Sequence, residues 1–237
     1  MLMIVCKRGE EMGEYYNWIN IDRKEYIDPV DFDFGSKFHE SGQIKGELIR
    51  ALHELLANEW HNCHIAWIGD ECSIPKDNNL DFFNIIKSQM IEANYRGSWI
   101  YDFELENYRN VSSLFKNSEE EVRNEIKYYL EQPKGYGYPD TYGIKAKEDP
   151  YEGLFKKDGM DIEYIINYSK KICFSYKKTK ILNLNGEIND FYSPLPILLG
   201  YGRYTEEIPG LWLGDLIGAS NQIDDSIKIL DEIYLDW

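Results

Sequence analysis

The spacing of apolar positions divides the chain into segments of two different periods. Between residues 44 and 60, Ile44, Leu48, Leu52, Leu55 and Leu56 recur every three or four positions, which predicts a helix with one buried face. Residues 79–94 repeat that period with Phe82, Phe83, Ile86, Met90 and Ala93. A third helix is expected where Ser118 and Glu121 form a capping box ahead of Val122, Ile126, Tyr129 and Leu130, ending at Gln132-Pro133. Elsewhere the period shortens. Residues 15–27 (YYNWINIDRKEYI) hold two β-prone runs around the polar Asp22-Arg23-Lys24, as a hairpin would, and residues 64–70 (HIAWIGD) read as a buried strand closed by a Gly-Asp turn. Residues 133–159 carry five glycines and two prolines beyond Pro133, a long irregular connection of the kind that often serves function.

Past that connection the first pattern returns. INYSKKICF at 166–174 lies over INIDRKEYI at 19–27, and LWLGD at 211–215 lies over AWIGD at 66–70. The landmarks sit at matched separations, Asn20 to Asp70 and Asn167 to Asp215, and Leu195–Tyr201 takes the place of the 44–60 helix in a shorter, proline-containing form. Two diverged copies of one unit are therefore expected, packed about a pseudo-twofold axis. The expected fold class is α+β (or α/β), with mixed or antiparallel sheets, flanking helices and an internal duplication. Residues 1–132 form the first unit with inserted helices, 133–160 the Tyr/Gly/Pro loop and 161–237 the second unit, all within one globular domain. On this reading Trp67 and Trp212 are equivalent core anchors of two matching strands.

Charge narrows the partners. The net charge is −16, with 42 acidic against 26 basic side chains, a field that repels phosphates and anionic lipid and steers basic proteins. Neither nucleic acid nor membrane is expected as a partner; a basic protein is. From Glu187 to the C-terminus ten acids face only Arg203 and Lys228, so half the net charge lies in under a quarter of the chain. Cys6, Cys63, Cys72 and Cys173 show no paired spacing and read as reduced thiols in a cytoplasmic protein. The apolar run at residues 1–6 is cut off by Lys7-Arg8, too short for a signal peptide, and Met12 offers an alternative start.

Catalytic signatures are missing: the chain has no GxSxG, GxGxxG, GxxxxGK[ST] or HExxH. His39, His53, His61 and His64 cluster within 26 residues beside Cys63, Asp70 and Cys72, but in no zinc-binding spacing. No cofactor or metal is expected; His61 and His64 would be the ligands if one bound. Asp70 and Asp215 read as turn caps, or alternatively as an acid/base pair meeting at the pseudo-twofold. Lys170, Lys171, Lys177, Lys178 and Lys180 form a basic cluster read as a solvated strand face.

The stretch YYNWINIDRKEYIDPVDFDFG, the WIGDE that follows and the repeated INYSKK and WLGD blocks resemble an uncharacterised bacterial protein family with duplicated N-x-x-[KR]-K and W-x-G-D blocks, over most of residues 12–237. In its acidity the chain is also similar to immunity proteins. Acidity and the missing motifs make a non-enzymatic binding protein the leading expectation: an immunity or inhibitor protein that neutralises a basic bacterial toxin or nuclease. Its contacts would be Tyr136, Tyr138 and Tyr142, with Glu206, Glu207, Asp224 and Asp225 as steering charges. The alternative is a hydrolase or small-molecule-binding enzyme with its site between the two repeats.

Overall fold

A computed structural model describes residues 2–3, 14–76, 80–116, 157–203 and 209–235. In chain order the strands are β1 (Leu2–Met3), β2 (Tyr16–Asn20), β3 (Glu25–Ile27), β4 (Cys63–Gly69), β5 (Arg109–Asn110), β6 (Tyr164–Asn167), β7 (Ile172–Ser175), β8 (Lys180–Asn183), β9 (Gly200–Tyr201), β10 (Leu216–Ser220), β11 (Lys228–Ile229) and β12 (Glu232–Leu235). The helices are α1 (Glu47–Ala57), α2 (Asp81–Glu92), α3 (Ile100–Asn107) and α4 (Leu195–Leu199). The fold is α+β, with helices flanking a mixed nine-stranded sheet ordered β11-β7-β6-β10-β4-β2-β3-β5, where β9 pairs beside β4. A smaller sheet, β1-β12-β8, completes it.

Strand alternation sends successive side chains to opposite faces. Trp18, Ile65, Trp67, Ile165, Phe174 and Ile217 point to the inner face, where they pack with Leu48, Leu52, Leu55 and Leu56 of α1, with α4 and with Ile181 and Ile233 of the small sheet. One apolar cluster thus runs beneath the whole large sheet. Trp18, Trp67 and Tyr16 stack there, with ring centroids 4.7 and 5.3 Å apart. On the outer face, Ile19, Tyr26, Ala66 and Ile68 meet Phe82, Phe83 and Ile86 of α2 and Phe103 of α3. The outer face around β6 and β7 holds only Tyr164, Ile166 and Cys173, flanked by Tyr168, Ile223, Ile227 and Ile229.

The predicted hairpin, the first two helices and the 64–70 strand are found, within a few residues of their expected bounds. The helix expected from Ser118 and most of the 133–160 connection lie outside the described residues. The flanks of that segment are adjacent, since Lys116 N donates to Lys157 O at 2.8 Å and Lys157 N to Leu114 O at 2.6 Å.

The expected match of the two W-x-G-D blocks is corrected. Trp67-Ile68-Gly69 is extended strand, whereas Trp212-Leu213-Gly214 is the turn that enters β10. Gly214 holds φ +82° there, a left-handed conformation that Gly69 does not share.

Candidate functional site at the meeting of the two hairpin units

Both N-x-x-[KR]-K blocks are four-residue hairpin turns, closed by the pairs Asn20–Glu25 and Asn167–Ile172. A short polar side chain that can accept from the backbone two or three residues ahead favours such turns. Asn20 Oδ1 accepts from Asp22 N and Arg23 N at 3.1 and 3.0 Å, and Asn167 Oδ1 accepts from Lys170 N at 2.9 Å. The last turn residue is left-handed in both, Lys24 at φ 55° and Lys171 at φ 53°.

Each turn is fastened to its neighbouring central strand in the same way. Ile21 N donates to His64 O and Tyr168 N to Leu216 O; in return, His64 N donates to Asp22 Oδ2 at 2.7 Å and Leu216 N to Ser169 Oγ at 2.9 Å. The central strands themselves overlap by just two pairs, Leu216 with His64 and Ile217 with Cys63. The two units therefore meet at a seam that carries His61, Cys63, His64, Tyr168 and Asp215.

Asp22 does more than hold a backbone amide. Its carboxylate also reaches His64 Nδ1, at 2.9 and 3.0 Å, an aspartate–histidine dyad in which no hydrogen bond from a described residue reaches Nε2. The hydrogen bond to Asp22 raises the imidazole's pKa; burial opposes it and the charges of Asp22, Asp81 and Asp215 reinforce it, so the net is upward. Burial alone would raise the Asp22 carboxyl, but the ring and backbone hydrogen bonds from His64 outweigh it and the net is downward. A partly exposed imidazole oriented this way can accept or deliver a proton. Beside it, His61 Nε2 and Tyr168 OH lie 3.3 Å apart over Gly218, a position where a Cβ would press Tyr168 to 2.8 Å.

Asp215 is held by Asn167 Nδ2 at 2.7 Å and by Lys170 Nζ, which also donates to Leu211 O. Asp70 sits at the other end of β4, where its Oδ1 accepts from Tyr15 N at 3.1 Å and its own amide donates to Tyr15 O. Six residues of strand separate Asp70 from His64, about 20 Å at roughly 3.3 Å per residue. The structure thus brings His61, His64 and Asp215 to one place and leaves Asp70 apart, closing a strand end.

Among the described residues, no group of three or more His, Cys, Asp and Glu side chains converges as a metal site. His53 is buried against Tyr176 OH at 3.1 Å, and burial pushes its pKa down to about 3. The second-hairpin lysines are engaged locally: Lys177 with Glu163 at 2.9 Å, Lys180 with Glu232 at 3.4 Å, and Lys178 over the Tyr164 ring at 4.9 Å. Asp224 and Asp225 are exposed, with Asp224 Oδ1 accepting from Ser226 N at 2.8 Å. Tyr136, Tyr138, Tyr142, Glu206 and Glu207 lie outside the described residues.

Sequence reasoning missed Asp22, Tyr168 and Lys170 as members of this site. The available signal was the repeated turn itself, whose residues are bonded to the adjoining central strand in both units. No protein-family model, curated protein or solved structure matches the chain.

Proposed function

We propose that this chain is a binding protein whose acidic surface takes a basic protein partner, acting as an immunity or inhibitor protein against a basic toxin or nuclease. The supporting observation is a contrast in how its acids are used. Asp22, Glu25, Glu54, Glu59, Glu163 and Asp215 each meet a cationic or imidazole partner within 4 Å. Glu187, Asp190, Asp224, Asp225 and Asp231 are exposed, and none forms an ion pair with a described residue. Unpaired acids on a chain of net charge −16 form a field that accelerates encounter with a cationic protein. Among the described residues no helix is long and apolar enough to cross a membrane.

The test is titration of the full chain against basic toxin and nuclease domains from its own host at two salt concentrations. The expected result is a one-to-one complex that weakens with salt, with the Asp224→Lys, Asp225→Lys pair slowing association by about tenfold. Failure of every such domain to bind would end this reading. The Asp22–His64 dyad favours a second one, general-base hydrolysis at the seam. Turnover of ester or phosphoester probes that disappears in His64→Gln would replace the first reading with the second.

We also infer that the two hairpin units are diverged copies of one ancestor. Supporting this, the strand order reads alike from either edge: a short strand parallel to the hairpin, the hairpin, then a central strand. With His64 and Leu216 taken as equivalent, counting back along each chain matches Trp60 with Trp212, both buried, and left-handed Asn62 with left-handed Gly214. It likewise matches the His61 N to Asn58 O bond with Leu213 N to Gly210 O.

A further inference from the structure

Large hydrophobic side chains at the surface are ordinary when scattered and informative when gathered. Those exposed among the described residues are Tyr15, Val30, Ile91, Trp99, Leu184, Ile188, Phe191 and Leu211. Five are scattered over separate parts of the fold. The other three, Leu184 at 50% exposure, Ile188 at 74% and Phe191 at 53%, occupy one loop between β8 and α4.

That loop is held firmly in place. Asn183 Oδ1 accepts from Asn185 N and Glu187 N at 3.0 and 2.9 Å, Asn183 Nδ2 donates to Glu187 Oε2 at 2.8 Å, and Asn183 N donates to Glu187 O. Farther along, Asn189 N donates to Ile181 O at 2.7 Å, while Asn189 Oδ1 accepts from Phe191 N and Tyr192 N. The far end is fixed to the loop before α1, through Ile44 N to Phe191 O at 2.9 Å and Ser193 N to Gly42 O at 2.6 Å. Gly186, at φ +80°, forms a tip with nothing within 4 Å of where a Cβ would stand. Apolar groups are thus presented outward on ordered backbone, so little ordering entropy remains to be lost when a partner covers them.

Charge says what kind of partner. The only ionisable carboxylates on the loop, Glu187 and Asp190, are exposed and form no ion pair with a described residue, and no lysine or arginine occurs from Ile181 to Gly202. Covering the three apolar side chains brings the partner's own charges against these two carboxylates. A second copy of this chain carries −16 as well, and opposing two such surfaces is repulsive. A segment with aliphatic side chains on one face and lysine or arginine at its margins satisfies both demands.

We propose that the Leu184–Phe191 loop is a docking surface for a basic, amphipathic segment of another protein. This rests on the reading of the chain as a binder of basic proteins and names where the partner sits. The probe is a short amphipathic leucine–lysine peptide added to the full chain, with a leucine–glutamate peptide of the same pattern as control. Hydrogen exchange locates binding and calorimetry measures it. The expected result is protection over residues 183–192, no binding of the glutamate peptide, and at least tenfold weaker binding in the Ile188→Glu, Phe191→Ser variant. Both side chains are more than half exposed, so an unchanged melting temperature verifies that the variant is folded. Protection confined to residues 221–231 would overturn the docking surface while leaving the acidic-surface function intact. No binding of the lysine peptide anywhere would overturn the surface, whereas the function reading stands or falls by the toxin-domain titration. Sedimentation as a dimer that the variant dissolves would show self-association instead, and equally end the proposal.

Discussion

The two hairpin units share their turns and differ in their cover. In the unit built on β2–β3, the chain between β4 and β5 runs through residues 70–108 and supplies α2 and α3. In the unit built on β6–β7, the corresponding passage from β10 to β11 is residues 221–227. The first outer face is consequently sealed by Phe82, Phe83, Ile86 and Phe103, all almost fully buried, and the second by partly exposed Ile223 and Ile227. Polar decoration differs in the same direction. His64 and Leu216 occupy matching places, yet only the first forms a dyad, because it pairs an imidazole with Asp22 where the second unit has an aliphatic side chain and Ser169. The hairpin turns are alike in both units; the dyad and the covering helices belong to one.

The largest effect that would break this comparison is loss of cover. Phe103 is 1% exposed and meets the rings of Tyr95 and Tyr108 at 5.3 and 5.8 Å. Phe103→Ala is expected to destabilise by about 3–5 kcal/mol in chemical denaturation. Ile227→Ala, at the half-buried counterpart, is expected to cost about 1 kcal/mol. Equal costs would mean that the two outer faces are insulated alike after all.

A smaller effect sharpens the register. If Asn62 and Gly214 are equivalent left-handed turn residues, Gly214→Ala should cost about 1–2 kcal/mol, the penalty of a Cβ in that conformation, with Phe82 Cβ a further 3.2 Å neighbour. Asn62→Gly should be neutral or slightly stabilising, and thermal melts of both variants decide it. A strongly destabilised Asn62→Gly would separate the two turns.

The smallest effect concerns protons. The His64 pKa is raised in the folded protein by its bond to Asp22, so the pair's contribution is complete below the ordinary imidazole pKa of about 6.5 and disappears as pH rises through the elevated value. The Asp22 pKa is lowered, so its contribution exists above the ordinary carboxylate pKa and is lost as pH falls through the depressed value. With both groups partly exposed the amplitude should stay under about 1 kcal/mol. Denaturation from pH 5 to 9 should show this decline in the native chain and lose it in His64→Leu, which copies the second unit. An unchanged profile in His64→Leu would remove the dyad from the account.

Much of this was legible in the sequence, for local reasons. The helical stripe of Leu48, Leu52, Leu55 and Leu56 and the paired Asn turns are short-range signals, so they named their elements correctly. The W-x-G-D match misled because it compared residues by identity, whereas strand pairing compares them by register. Counted back from the Leu216–His64 pair along each chain, Trp212 corresponds to Trp60, seven places before Trp67. The His64–Asp22 dyad joins residues 42 apart and the Asp215–Lys170 pair residues 45 apart. Which carboxylate reaches which cation depends on how two strands are staggered, and no local period records that. Helix α3 was missed because its eight residues, IYDFELEN, include Asp and Asn and bury only Ile100, Phe103 and Glu104.

The two-pair overlap between β4 and β10 bears on how the chain is synthesised. Strands β2 to β5 and helices α1, α2 and α3 all lie between residues 16 and 110. A ribosome therefore releases one whole hairpin unit before any strand of the other exists. Its outer face gains its own helices and awaits only Tyr201 and Leu213, whereas its inner face waits for Phe174, Leu198, Trp212 and Ile217. During translation the nascent half carries α2 and α3 on one side and, on the other, an apolar face only partly covered by α1.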